Sequence, residues 1–119
     1  MSDTADFAPL AVLIVDDEAP ARERLRDVLG DIADTQPTRI AGTAANGVEA
    51  LALLEHETVD LILTDIRMPV MDGVELARHV GRLERGPAVI FTTAYDEYAV
   101  RAFELAAVDY LLKPVRAAR

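Results

Sequence analysis

The run Leu10-Ala11-Val12-Leu13-Ile14-Val15 stops abruptly at Asp16-Asp17-Glu18, and the same arrangement recurs at Leu61-Ile62-Leu63-Thr64-Asp65. A short run that is apolar on both faces reads as a strand covered on both sides, the interior strand of a parallel sheet. Between such runs the spacing changes to that of helices. Strands alternating with helices of this length require parallel pairing through right-handed crossovers, with helices on both faces. Few other architectures accommodate that pattern.

In chain order, residues 1–9 read as a flexible polar leader ending at Pro9, and 10–15 as the first strand. Pro20 then falls in the first turn of a helix, where its missing N–H costs nothing. Ala21, Leu25, Val28, Leu29 and Ile32 follow at helical spacing. Residues 36–43 predict a weaker second strand. Asn46 with Glu49 predicts a capping box opening a helix through Ala50, Leu51 and Leu54. A third strand is expected at 59–64. Asp72 and Glu75 repeat the capping pattern ahead of a stripe of Leu76, Val80 and Leu83. Gly86-Pro87 ends that helix. A fourth strand is expected at 88–93, a fourth helix at 95–106 and a fifth strand at 108–112, closed by Lys113-Pro114.

Composition narrows the function classes. At 119 residues the chain has the length of one domain with a real core. No apolar run is long enough to span a bilayer and no charged-then-apolar leader opens the chain, so a cytoplasmic protein without membrane contact is expected. The absence of cysteine excludes disulfides and thiolate metal sites. A formal net charge of −9 argues against direct contact with nucleic acid, which needs a clustered positive face.

In open sheets of this kind ligands bind beyond the carboxyl ends of the strands, where the strand order reverses. The residues leaving those ends are Asp16, Asp17, Asp65, Thr93 and Lys113. An aspartate after a strand more often caps a turn, so Asp65 alone decides little; the convergence of all five is the informative feature. Clustered carboxylates repel one another, and a hard divalent cation with oxygen ligands relieves that repulsion. No histidine or cysteine joins them, which disfavours zinc. Lys113 is the only lysine among 12 Lys and Arg residues, a compact ammonium in a chain that otherwise uses arginine. Carboxylate, metal, ammonium and the Thr93 hydroxyl form a set suited to phosphoryl transfer.

Val15-Asp16-Asp17, Leu63-Thr64-Asp65-Ile66-Arg67-Met68-Pro69, Met71-Asp72-Gly73, Thr93-Ala94 and Tyr110-Leu111-Leu112-Lys113-Pro114 together resemble the receiver domain of two-component response regulators, from about Leu10 to Pro114. Thr93-Ala94-Tyr95-Asp96-Glu97-Tyr98-Ala99, Ala102-Phe103 and Asp109-Tyr110 are similar to the LytR/AlgR subgroup, in which a receiver commonly precedes a DNA-binding LytTR domain. The resemblance implies a flavodoxin-like (βα)5 fold, a doubly wound parallel sheet of five strands in the order 2-1-3-4-5. It implies Asp65 as acceptor of phosphate from a sensor histidine kinase, and Mg2+ held by Asp16, Asp17, Asp65 and the backbone carbonyl of Arg67. It further implies Thr93 and Lys113 as partners of the phosphoryl group, a cis Lys113-Pro114 bond, Thr93 and Tyr110 as switch residues, and no turnover substrate. The doublet Thr92-Thr93 leaves two hydroxyls to choose between, and the following Ala94 favours Thr93.

The family carries a fifth helix after the fifth strand, whereas only Val115-Arg116-Ala117-Ala118-Arg119 remains here. Five residues are too few for a stable helix. The receiver domain is therefore expected over 10–119 with its fifth helix cut short, from a longer protein whose LytTR domain lies outside this chain. The uncovered face is expected to find a partner, with a homodimer through the fourth helix and fifth strand as the reading. Two rivals stand beside the receiver. A magnesium-dependent phosphohydrolase usually has a second aspartate two residues after its nucleophile, where this chain has Arg67. A phosphate-independent dimerisation module has no need of five polar groups at strand ends. His56, His79, Tyr95, Tyr98, Arg101 and the Arg82-Arg85 pair read as solvated surface.

Overall fold

The computed structural model describes residues 9–83, 86–93 and 109–112, with Thr93 and the last four through their main chain only. Strands run at Leu10–Val15 (β1), Thr38–Ala44 (β2), Leu61–Asp65 (β3), Ala88–Thr93 (β4) and Asp109–Leu112 (β5). Helices run at Ala19–Asp31 (α1), Gly47–Leu54 (α2) and Gly73–Gly81 (α3). All strand pairs are parallel and the sheet order is β2-β1-β3-β4-β5. This is the flavodoxin-like arrangement expected. The leader before Pro9, the helix expected at 95–106, Val108, Arg85, Lys113-Pro114 and the curtailed fifth helix lie outside the described residues.

The both-faces-apolar character of β1 has a direct structural counterpart. Val12 and Ile14 pack with Leu25 and Leu29 of α1 on one face, joined by Leu63. Leu13 and Val15 face the other way, into a cluster with Ile62, Phe91, Ala50 of α2, and Leu76 and Val80 of α3. Leu13, Ile14 and Phe91 are fully buried. Burying one such side chain contributes about 1.5–3 kcal/mol, more than the roughly 1 kcal/mol range of strand propensities, so packing sets the register.

Several boundaries shift from those expected, each for a local reason. β2 begins at Thr38 rather than residue 36, because Gln36 still closes the turn after α1 by donating its N–H to Ile32 O at 2.9 Å. Pro37 has no N–H to offer; its carbonyl instead accepts from Leu10 N at 3.1 Å. β3 runs from Leu61 to Asp65 rather than over 59–64. Asp60 sits just before it as a clasp: its Oδ2 accepts from Ala11 N at 2.9 Å, its N–H donates to Ala11 O at 2.8 Å, and its carbonyl accepts from Ala88 N at 3.1 Å. One aspartate thereby ties the starts of β1, β3 and β4 together.

Asp72 and Glu75 form the capping box expected at the start of α3. At α2 the box is only half made. Asn46 Oδ1 accepts from Glu49 N at 2.9 Å, whereas Glu49 Oε1 reaches past Asn46 to Ala45 N at 2.9 Å. Leu83, expected on the α3 stripe, lies beyond the end of the helix and is 48% exposed. The helix stops at Gly81, so the next turn carries Leu83 away from the core. His56, His79 and Arg82 are exposed, as expected.

Candidate functional site

β1 and β3 are neighbours at the centre of the sheet, and Val15 pairs with Thr64. The next residue on each strand, Asp16 and Asp65, therefore emerges side by side at the carboxyl end. The chain leaves β1 toward β2 on one side and returns to β3 on the other, so this is the point where the strand order reverses. Asp16, Asp17 and Asp65 each place a carboxylate oxygen within 4.8 Å of the others. Asp16 is buried, Asp17 exposed and Asp65 between the two.

Asp16 is held from several sides. Its N–H donates to Ala44 O at 3.0 Å, in continuation of the β1–β2 ladder. Its Oδ1 accepts from Glu18 N at 3.0 Å, which turns the chain toward α1. Its carbonyl accepts from Arg22 Nη1 at 2.6 Å. A cation in the first turns of a helix opposes the helix dipole; Arg22 is spent instead on fixing the loop that presents Asp16 and Asp17.

Asp65 is equally constrained. Its Oδ1 accepts from Ile66 N at 2.8 Å and its carbonyl accepts from Thr64 Oγ1 at 2.9 Å. The start of α3 closes down on the next carbonyl of the chain, with Gly73 N donating to Ile66 O at 2.7 Å. A Cβ at Gly73 would collide with Asp65 O, which is why glycine stands there. Upstream, Gly47 N donates to Met71 O at 2.9 Å, and a Cβ at Gly47 would come within 2.6 Å of Met71 Cγ. The Met71-Asp72-Gly73 segment thus docks on α2, caps α3 and supports Asp65 at once. Between Pro69 and Met71 the chain makes a tight turn, Met71 N donating to Pro69 O at 2.8 Å. Val70 at its tip has φ 69° and is 79% exposed.

The structure therefore brings together three of the residues singled out in the sequence. Arg67 is exposed, two residues past Asp65. Thr93 ends β4, its main chain paired with Leu112, and Tyr110 pairs with Phe91; their side chains, and the whole of Lys113, lie outside the described residues. Sequence reading missed Arg22, Asp60 and the support that Thr64 gives Asp65. For Arg22 a signal existed, namely a basic residue one turn into a helix that opens beside an acidic loop. The chemistry of the cluster is that of hard oxygen donors, which suits a hard divalent cation. Among the described residues no helix is long and apolar enough to cross a membrane.

Comparison with known proteins agrees with this geometry. The family model of the response regulator receiver domain matches residues 12–119. The chain is 49% identical over 105 residues to the positive alginate biosynthesis regulatory protein of Pseudomonas aeruginosa, covering 88% of this chain and 42% of that protein. It is 45% identical over 112 residues to the transcriptional regulatory protein BtsR of Escherichia coli, covering 92% of this chain and 44% of that protein. The chain thus spans less than half the length of these curated relatives. Among solved structures, the response regulatory domain of protein mrkE from Klebsiella pneumoniae superposes with a TM-score of 0.83 at 38% identity, over 92% of this chain and 88% of that one. The chemotaxis response regulator CheY4 of Vibrio cholerae superposes with a TM-score of 0.80 at 28% identity, over 93% of this chain and 92% of that one. An acidic triad at the switch point of a 2-1-3-4-5 sheet, matched along nearly its whole length, places this chain in the response regulator receiver domain family, within the LytR/AlgR subgroup.

Proposed function

We propose that Asp65 accepts a phosphoryl group from a phosphohistidine of a sensor kinase, and that Asp16, Asp17, Asp65 and the carbonyl of Arg67 hold Mg2+ for that step. The observation that carries this reading is the meeting of three carboxylate oxygens within 4.8 Å at the carboxyl ends of two central strands. Mg2+ bound there supplies positive charge against which an anionic phosphoryl group can approach a carboxylate. The protein supplies position. Ile66 N–H fixes Asp65 Oδ1, which sets the carboxylate plane, and Oδ2 is assigned as the attacking oxygen. The Oδ2–P bond forms as the P–N bond to the kinase imidazole breaks, and the imidazole leaves with the electron pair.

Receiver domains are signalling domains that act with histidine kinases and do not turn over a substrate. In this chain Thr93 and Lys113 are assigned as partners of the transferred phosphoryl group. Tyr110 is assigned as the residue that follows Thr93 in the switch. Phosphorylation favours one arrangement by the contacts that only that arrangement offers. The output is assigned to the face of the fourth helix and fifth strand, through which a homodimer forms. The relatives, an alginate biosynthesis regulator and a transcriptional regulator, support a role in transcriptional control; the output is assigned to a separate LytTR DNA-binding domain, and the protein to the cytoplasm.

The test is intact-mass measurement after treatment with acetyl phosphate and Mg2+. A single phosphate adduct is expected on the parent and none on Asp65→Asn. An adduct that persists on Asp65→Asn places the acceptor elsewhere.

A further inference from the structure

Thr92 carries a hydroxyl for which the site described so far has no use. It is fully buried, and its Oγ1 has no hydrogen-bond partner among the described residues. Buried hydroxyls are nearly always bonded, because water is lost on burial and nothing replaces it. An exception therefore calls for a physical reason, and the position of this one supplies it.

In the β3–β4 ladder Leu63 pairs with Ile90 and, two residues on, Asp65 pairs with Thr92. Leu63 and Ile90 both pack on the α1 side of the sheet, while Val89 and Phe91 pack on the opposite side. Alternation along each strand puts Asp65 with Leu63 and Thr92 with Ile90. Asp65 and Thr92 thus share one register position and one face on adjacent strands, which run about 4.8 Å apart.

We propose that the Thr92 hydroxyl is a donor reserved for the phosphorylated state of Asp65. This rests on Asp65 being the phosphoacceptor. As a bare carboxylate, Asp65 already takes Ile66 N–H on Oδ1. Once phosphorylated it carries three further acceptor oxygens, and the charge beside β4 grows. Thr92 then rotates its hydroxyl onto the aspartyl phosphate. A contact present in one state only stabilises that state alone. Thr92 would act on the lifetime of the phosphate, separately from the role assigned to Thr93.

The experiment compares the parent with Thr92→Val and Thr92→Ser. Each is loaded with acetyl phosphate and Mg2+, desalted, and followed by intact mass as the adduct decays; the unphosphorylated forms are melted in parallel. Valine keeps the shape and removes a hydroxyl that has no partner among the described residues, so unphosphorylated Thr92→Val is expected to melt no lower than the parent. Its adduct is expected to decay about threefold to tenfold faster, the loss of one hydrogen bond, while Thr92→Ser keeps a lifetime near that of the parent. A Thr92→Val adduct that decays at the parent rate overturns the inference. So does a clearly lowered melting temperature of the unphosphorylated variant, which shows the hydroxyl already engaged. Failure of the parent itself to form an adduct removes the phosphoacceptor role of Asp65 and this inference with it. An adduct whose lifetime ignores Thr92 overturns the inference alone.

Discussion

The Arg22 guanidinium donates to the main-chain carbonyl of Asp16 at 2.6 Å, so the first helix reaches back to hold the loop that carries two of the three clustered carboxylates. Arg22→Ala removes a charged donor from a half-buried carbonyl. A loss of about 1–2 kcal/mol in urea denaturation is expected, with Arg22→Lys recovering part of it. Equal stability of Arg22→Ala and the parent would show that the contact holds nothing in place.

Gly73 and the Asp65 carbonyl occupy the same space that a side chain would need. Gly73→Ala must push α3 away from the end of β3 or displace Asp65 itself. A destabilisation of about 1–3 kcal/mol is expected, in the range of overpacked sites. The same variant is expected to lose phosphorylation by acetyl phosphate to a greater degree than its unfolded fraction explains. Full phosphorylation at parent rate would mean that α3 shifts without disturbing Asp65.

Val70 holds φ 69° at the tip of the turn after Asp65. A β-branched residue in the left-handed region is strained, and this one is 79% exposed and gains little from packing. Val70→Gly is expected to raise stability by about 0.5–1 kcal/mol, the relief of strain outweighing the greater freedom glycine has when unfolded. A loss of stability on the same substitution would show that the Val70 side chain has contacts that outweigh its strained backbone.

Much of the fold was legible because it depends on local pattern. Leu10–Val15 is apolar on both faces and lies at the centre of the sheet. The capping pairs at Asn46 and Asp72 mark true helix starts. Legibility fell where a residue answers to a distant partner. Asp60 looks like part of a strand in the sequence, yet it clasps Ala11 and Ala88 across two neighbouring strands. Pro37 and the turn after α1 shorten β2, which no periodicity reports. Leu83 fits the α3 stripe by spacing, but the helix ends before it.

The candidate site was legible for a different reason. Asp16 and Asp65 each stand at the end of an apolar run, and the parallel topology alone brings such ends together. Between the two hydroxyls of Thr92-Thr93 the sequence favoured Thr93 through the following Ala94 and assigned Thr92 no role. The burial of Thr92, and the lack of a partner for its hydroxyl among the described residues, became visible only in three dimensions. Arg22 was hidden because its partner is a main-chain carbonyl, and a carbonyl leaves no trace in residue type.

The most direct test of whether Asp16, Asp17 and Asp65 act as one cation site serving Asp65 is the rate of acetyl-phosphate labelling as Mg2+ is titrated, in the parent and in Asp17→Asn. Labelling of the parent is expected to saturate with Mg2+ and to vanish in excess chelator. In Asp17→Asn the half-saturating Mg2+ concentration is expected to rise by about tenfold or more, the loss of one charged ligand. Labelling that proceeds without Mg2+, or that follows the same curve in Asp17→Asn, would contradict the shared site.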